Sequence, residues 1–557
     1  MTARGKLIFT ILFLGLVAFG VSKWWPKLQP AHARGAQAEH AASPSSSAEA
    51  KDAAPKIELA ETQFELPRLA PAGPYVPKDN VVELELSEYA GYAGLIAANG
   101  GLAPSENSIF FKKHGFKVKI TLSEEESWSA LNSGKMAASA TTADVLAIYG
   151  RQFQVVVPIQ IGFSRGADGV VVRSDIKRIN DLKGKTLVTA QFTEADFFIR
   201  YLAQEAGLQV NLLGDLRTGA DPEKVNLVFA ADAFAAADTF LADIQAGANQ
   251  LAGCVTWAPK TSEVAEASGG KAHILTTNKN LLIVADILIV NKAFAQAQPK
   301  MVEGLVAGLI EGNRMVRENA APHLEVIGKA FGWDREQTKT ELAKVHLSNG
   351  PENLAFFSGS IDAAGSFGGI YQSAIYAYGS ELVKDPVDSE RFVNLQPLQK
   401  LEQAGAFAGQ QIAIAPIRSG GAGPVESDPL LSKNIRFLFQ PNSAVLDLSV
   451  QENLKNLGAL KQMLQVSPGS TILLRGHVDN TRVAEFRQQG GETFLRQMAM
   501  KSVEFSKQRA AEIRRLLVER EKVEAARIET VGRGWEEPLG ADMEQNRRVE
   551  AQWFTLE

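Results

Sequence analysis

The stretch DLKGKTLVTAQFTEADFFIRYLAQEAGL, residues 181–208, decides the fold. Residues 181–190 read as a turn and then a strand. Residues 194–208 form an amphipathic helix, with apolar side chains at helical spacing until Gly207 ends the run. Outward from this unit the alternation repeats. VVELELS (81–87) alternates as a strand, and FFKKHGFKVKITL (110–122) reads as a helix end closed at Gly115 followed by a strand. A short helix is expected around Ser127–Ser133, with Gly134 as its stop. QVVVPI (154–159), GVVV (169–172), Asn226–Phe229 and Gly253–Trp257 are strand candidates, and 301–346 reads as helices. Strands alternating with helices of this length predict an α/β sheet protein.

The chain has 557 residues, enough for three or four structural units. With 45% hydrophobic and 22% charged residues it can bury real cores, which excludes wholesale disorder. Lys+Arg 58 against Asp+Glu 63 gives 58 − 63 = −5, so there is no global electrostatic footprint for nucleic acid. A single cysteine, Cys254, forbids an intrachain disulfide, a cysteine-rich zinc site and an iron–sulfur cluster.

Only one long apolar run occurs. Leu7–Val21 is uncharged, preceded by Arg4 and Lys6 and followed by Lys23, Trp24 and Trp25. It reads as a signal-anchor helix over 7–25, with a cytoplasmic tail at 1–6 and the rest of the chain outside. A cleaved signal peptide is the alternative, with Ala31-His32-Ala33 as its small-x-small site. No cysteine follows the run, which excludes a lipoprotein anchor. Residues 26–78 are expected to be an Ala/Ser/Pro-rich linker, and 416–430 (PIRSGGAGPVESDPL) a second one.

The order EYAGYAGLIAANGGL, FFKKHGFKVKI, ALNSGKMAASATTADVLA, INDLKGKTLVTAQFTEADFFIRYLAQEAGL and GCVTWAP resembles the periplasmic substrate-binding proteins of ABC importers. The nitrate/sulfonate/taurine-binding and thiamine-precursor branch is the nearest in pattern. The resemblance spans roughly residues 79–400, and the domain is expected over 79–415. It implies a type II two-lobed clamp that closes on a small-molecule solute by hinge motion, with an ABC transporter permease as a further partner.

Four segments of this region suit a cleft, because ligands of open α/β sheets sit at the carboxyl ends of strands. Ser87, Tyr89 and Tyr92 follow the first strand. Ser139, Thr141 and Thr142 are small hydroxyl residues leading to Asp144. Gln191 and Thr193 precede the 194–208 helix, whose free amides favour an anionic group. Trp257 ends a strand and could wall the pocket. Each has a plainer reading: Thr193 as an N-cap with Asp196 three residues on, Trp257 as lobe packing, and the tyrosines as core or surface. None of the seven histidines falls in these segments, and Cys254 sits in an apolar strand. No nucleophile–base–orienter set is visible. The chain therefore reads as a binder with no catalytic residues, no cofactor and no metal site.

Beyond the second linker the pattern changes. IRFLFQPNSAVLD (435–447) begins as a strand. Leu454–Leu464 reads as a helix, TILLRGHVDNT (471–481) as a strand and loop, and Phe505–Val518 as a helix. RIETVGRGWEEP (527–538) is a strand and turn, and NRRVEAQWF (546–554) a last strand. This α+β unit, IRFLFQPNSAVLD, GHVDNT, FSKQRAAEIRRLLVER, RIETVGRGWEEP and NRRVE in order, resembles the OmpA-like peptidoglycan-binding domain across 431–557. The resemblance implies that Asp479 and Arg509 grip the amine and carboxylate of diaminopimelate in the stem peptide, with Asn546 and Arg548 near the same pocket. A carboxylate and a guanidinium facing each other suit a zwitterion. Alone, Asp479 would read as a turn-forming residue and Arg509 as an exposed helix charge. Val478 stands where the family has Thr, and Ser502 where it often has Asn. Residues 482–502 lengthen the segment between the two candidates and are expected to form an inserted loop at the rim.

The expected protein is thus an α/β clamp joined to an α+β OmpA-like domain, with one N-terminal transmembrane helix. It would be a single-pass inner-membrane protein with its bulk in the periplasm, bound to peptidoglycan and capturing a solute for transport or sensing. The alternative is a structural cell-wall tether or stator-like protein whose clamp is a non-binding scaffold. A stator needs a carboxylate in its membrane helix, and Leu7–Val21 has none.

Overall fold

The computed structural model describes residues 59–123, 127–359, 365–414, 429–440 and 443–554. The expected tail at 1–6, the membrane helix at 7–25 and residues 26–58 of the linker lie outside them, as do residue 415 and 416–428 of the second linker. Among the described residues no helix is long and apolar enough to cross a membrane.

Two six-stranded sheets form the two lobes of an α/β fold. The first contains β1 (Val81–Leu86), β2 (Lys117–Leu122), β3 (Ala138–Thr142) and β4 (Val155–Ser164). The second contains β5 (Asp168–Arg173), β6 (Thr186–Ala190), β7 (Val210–Leu212), β8 (Val225–Ala230), β9 (Gly253–Trp257) and β10 (Ala272–Thr277). The chain then returns to the first sheet as β11 (Ala285–Asn291) and β12 (Val345–Leu347). The orders are β12-β4-β11-β3-β1-β2 and β10-β5-β9-β6-β8-β7. β1 is parallel to β2 and β3, and β6 is parallel to β8 and β9. β5 and β11, each entered by a crossing between lobes, run antiparallel to their neighbours.

The expected elements are found, with revisions. Residues 138–142 form a central strand, and β11 was not read from the sequence. β4 extends to Ser164, because its last residues pair with β11 and β12. Within 301–346 the helices end at Leu342, and a short strand follows. Helix Ala93–Asn99 crosses helix Pro299–Glu318 with their backbones in contact. A Cβ on Gly312 would lie 2.0 Å from the Gly94 carbonyl oxygen.

Residues 59–78 do not behave as linker. Ala60 N–H donates to Phe229 O and Thr62 to Leu213 O in the second lobe. Gly73 N–H donates to Asn132 O in the first lobe, and Asn291 Nδ2 donates to Gly73 O. The segment is an extended strap across both lobes. The two crossings are tied by Asn278. Its Oδ1 accepts from Gly166 N–H at 2.9 Å and from Asp168 N–H at 3.2 Å, and its Nδ2 donates to Asp168 at 2.9 Å.

The OmpA-like domain is a four-stranded sheet, β13-β16-β14-β15, from β13 (Leu431–Ile435), β14 (Thr471–His477), β15 (Ile528–Gly534) and β16 (Val549–Phe554). The first strand precedes the expected 435–447 stretch, because Leu431–Ile435 is the segment that pairs with β16. Residues 482–502 are not a loop. They belong to one helical stretch, Val483–Glu519, broken at Gly490 and Gly491, where Gly491 has φ 67°. Phe486 of this insert stacks on Trp535, with ring centroids 5.9 Å apart. The domain docks on the second lobe: Asn180 and Ser432 exchange hydrogen bonds at 2.8 and 2.9 Å, and Leu282 N–H donates to Val466 O at 2.6 Å. One buried apolar cluster takes in Phe197 and Trp257 of the clamp and Trp553 of this domain.

Candidate functional site

A cavity of about 260 Å³ lies between the lobes. Ser87, Tyr89, Tyr92, Ser139, Thr141, Thr142, Gln191, Thr193 and Trp257 all line it. They come from the carboxyl ends of β1, β3, β6 and β9, so the parallel strands deliver them to one place. The sequence reading missed Glu85, Trp128, Tyr149, Ser164, Asp168, Glu194, Asp232 and Asp286, which also line the wall. A signal existed for two of them. Asp168 opens the apolar run GVVV, and Asp286 interrupts LLIVADILIV. A charge inside a buried strand costs several kcal/mol unless something answers it.

Several buried polar atoms of the wall have no partner in hydrogen-bonding geometry. They are Tyr89 Oη, Thr142 Oγ1, Ser164 Oγ, Trp257 Nε1 and Asp286 Oδ2, and both Asp144 oxygens behind Thr142 share this. Tyr92 donates to Asp286 Oδ1 at 3.4 Å, and the Tyr89 and Tyr92 rings meet edge-on, 5.3 Å apart. Burial pushes the Asp168 carboxyl up to about 6 and Asp144 up to about 7. Burial, reinforced by the nearby Asp168 charge, holds Asp286 well above the usual carboxylate range. Glu85 is also raised by burial, although Ser127 N–H donates to it at 3.2 Å.

Just ahead of the 194–205 helix a carboxylate of the chain itself turns back on the backbone. Phe192 N–H, the amide preceding the Thr193 N-cap, is taken by Asp196 Oδ2 at 3.1 Å, and Asp196 is in turn paired with Arg200 at 2.6 Å. Thr193 does not cap the helix; its hydroxyl donates to Ala190 O. Gln191 is held by the strap, accepting from Gln63 N–H and donating to Gln63 O. Phe192 itself sits at φ 64°, a strained position for a bulky side chain, beside the cavity rim. Cys254 is fully buried, and burial raises its thiol, so it is inert.

In the OmpA-like domain Asp479 follows β14. It accepts from Thr481 N–H at 3.1 Å and pairs with Arg547 Nε at 2.7 Å. Burial opposes ionisation there, but the Thr481 and Arg547 hydrogen bonds outweigh it and hold the carboxyl below its ordinary value. Arg509 lies between the Phe439 and Phe505 rings, 4.7 and 4.4 Å from their centroids. It makes no ion pair among the described residues; its guanidinium reaches Ser443 O at 3.4 Å. Asn546 and Arg548 are not brought to this site. Asn546 is buried and closes the 539–546 turn, accepting from Leu539 N–H and donating to Gly540 O. Arg548 donates to Asn434 Oδ1 and Glu537 O. Arg547 is the residue that meets Asp479. Adjacent residues entering a strand face opposite ways, and the sequence did not fix which of the two faced Asp479.

His477, Glu537 and Glu550 approach closely enough for a metal ion. Arg475 already pairs with both glutamates, at 2.8 and 2.5 Å, so the group reads as an ion-pair network.

Residues 438–552 match the OmpA family, and residues 105–320 match the family described as NMT1/THI5 like. No curated protein matches the chain. Similar solved structures include the alkanesulfonate-binding protein SsuA from Xanthomonas axonopodis pv. citri bound to MOPS. It shares 14% identity and a TM-score of 0.42, over 57% of this chain and 99% of that one. The periplasmic nitrate-binding protein NrtA from Synechocystis PCC 6803 shares 11% identity and a TM-score of 0.41, over 60% of this chain and 90% of that one.

Proposed function

We propose that the chain is an envelope protein that holds peptidoglycan through its C-terminal domain and captures a small solute in its clamp. The observation that carries the solute half is the cleft: hydroxyl, aromatic and carboxylate groups from both lobes line one cavity, and several are buried without a partner. A rigid scaffold would have no need of unanswered polar atoms, each costing about 1–3 kcal/mol. Ser87, Tyr89, Tyr92, Ser139, Thr141, Thr142 and Trp257 are the contacts proposed for the solute. The crossings at 164–168 and 277–285 form the hinge, stapled by Asn278.

The peptidoglycan half rests on Arg509, set between two rings with no ion pair, in a region matching the OmpA family. A stem-peptide carboxylate would dock on Arg509, and the ligand amine would replace Arg547 at Asp479. Leu7–Val21 is proposed to anchor the chain in the inner membrane, which leaves the clamp in the periplasm to serve a transporter or sensor. Neither half requires catalysis.

The test uses the full chain. It should sediment with isolated sacculi, and its melting temperature should rise with a bound solute in a panel of small ions and amines. A chain that stays in the supernatant refutes the wall-binding half. A panel with no thermal shift refutes the solute half.

A further inference from the structure

We propose that the cleft takes an organic cation with N–H donors, a protonated amine, amidine or guanidine, rather than an anion; this rests on the solute-binding reading above. The wall carries five carboxylates, Glu85, Asp168, Glu194, Asp232 and Asp286, and among the described residues no lysine, arginine or histidine lines it. The two nearest arginines in sequence are directed elsewhere. Arg165 donates to Lys279 O at 2.7 Å, and Arg200 pairs with Asp196. An anion entering this space would meet carboxyl groups and, among the described residues, no cation to offset its charge, which costs affinity.

The second observation is independent of the charge count. Asp286 is 2% exposed, and among the described residues its Oδ2 has no partner in good hydrogen-bonding geometry, the Tyr89 and Tyr92 hydroxyls being its polar neighbours. An acceptor of this kind calls for an N–H donor, and a charged donor gives the stronger bond. Asp286 lies on a first-lobe strand and Asp168 on a second-lobe strand, close enough for each to feel the other's charge. A cation between them removes that repulsion and holds the lobes together. The Tyr89, Tyr92, Trp128, Tyr149 and Trp257 rings of the wall suit the same ligand, because aromatic faces attract organic cations. A bare metal ion fits less well: among the described residues the cleft carboxylates do not converge to ligating distance.

Proton linkage gives the proposal a signature. The groups facing Asp168 and Asp286 are Tyr89, Tyr92, Asp144, Ser164 and Asn278, with Glu85, Glu194 and Asp232 elsewhere on the wall. None of these brings a positive charge. Both aspartates therefore hold protons above the ordinary carboxylate range, and cation binding must expel them. Affinity then rises with pH through about 6, whereas an anion would bind better as pH falls.

The experiment is a thermal-shift and calorimetric titration of the full chain with agmatine, putrescine and benzamidine, against nitrate and methanesulfonate. Cation binding should strengthen about tenfold or more between about pH 5 and about pH 8, with proton release. Asp286→Asn and Asp168→Asn keep the side-chain shape. Each should weaken cation binding about tenfold or more while the unliganded chain still melts cooperatively. Binding of nitrate or methanesulfonate in place of the cations overturns the charge assignment and leaves the solute-binding reading standing. Cation affinity unchanged in both variants overturns the site. No binding by any probe overturns both readings.

Discussion

The cleft and the Asp479–Arg509 region use the same side-chain types and arrive at opposite electrostatics. In the cleft, Asp168 and Asp286 are buried among rings and hydroxyls, among the described residues no cation lines the wall, and burial raises Asp168 to about 6. In the C-terminal domain, Asp479 has Arg547 and Thr481 on it and is held below its ordinary value. Arg509, stacked between two rings, is there the group with no ion pair among the described residues. The difference teaches that a carboxylate's neighbours, rather than its type, set what a site attracts. One site lacks a cation, and the other offers a guanidinium.

The largest expected effect would break the comparison on its wall-binding side. Truncating a hydrogen-bonded charge at a binding site costs about 2–5 kcal/mol. Asp479→Ala and Arg509→Ala in the full chain should thus lose about a hundredfold or more in sacculus affinity by co-sedimentation. Both variants should keep any thermal shift caused by a cleft ligand. If both still sediment like the parent, the two residues are not the site.

An effect of about 3 kcal/mol is expected in the cleft. The folded Asp168 carboxyl titrates at about 6, against about 3.9 in an unfolded chain. Its folded value is raised, so its contribution is most favourable below about pH 4 and is lost as pH rises through 6. Denaturant melts of the unliganded chain should show this loss, and Asp168→Asn should flatten it. A pH-independent difference between the two proteins would mean that Asp168 is not a buried, uncompensated carboxyl.

The smallest effect sharpens the contrast. Arg547 is about half exposed, so its ion pair with Asp479 is worth only about 0.5 kcal/mol, less in high salt. Arg547→Ala should leave stability nearly unchanged and raise the Asp479 pKa, readable by carboxyl NMR titration. A destabilisation of several kcal/mol would make that pair structural.

Much of this organisation was legible beforehand. The strand–helix–glycine rhythm of 181–208 indicated an α/β sheet, and the rule that ligands sit beyond the carboxyl ends of parallel strands drew out nine residues that line one cavity. The same rule was blind to Asp168 and Asp286, because both enter on antiparallel strands after a crossing. The sequence also left open that Asp196 turns back to accept from the Phe192 amide just ahead of the 194–205 helix, a contact within one turn whose geometry spacing alone does not fix.

The sequence by itself determined the periodicities: which runs bury, where glycines stop helices, and the order of motifs that carries the OmpA resemblance. Those are local properties, set by spacing along the chain. Only the tertiary structure decided the charge of the cleft. It brought Asp286 of one lobe near Asp168 of the other, and it turned Arg547 rather than Arg548 towards Asp479. It also drew residues 59–78 across both lobes as a strap. The physical reason is the same in each case. Electrostatics and hydrogen bonding act over a few ångströms of space, and residues distant in the sequence become neighbours only when the sheets assemble.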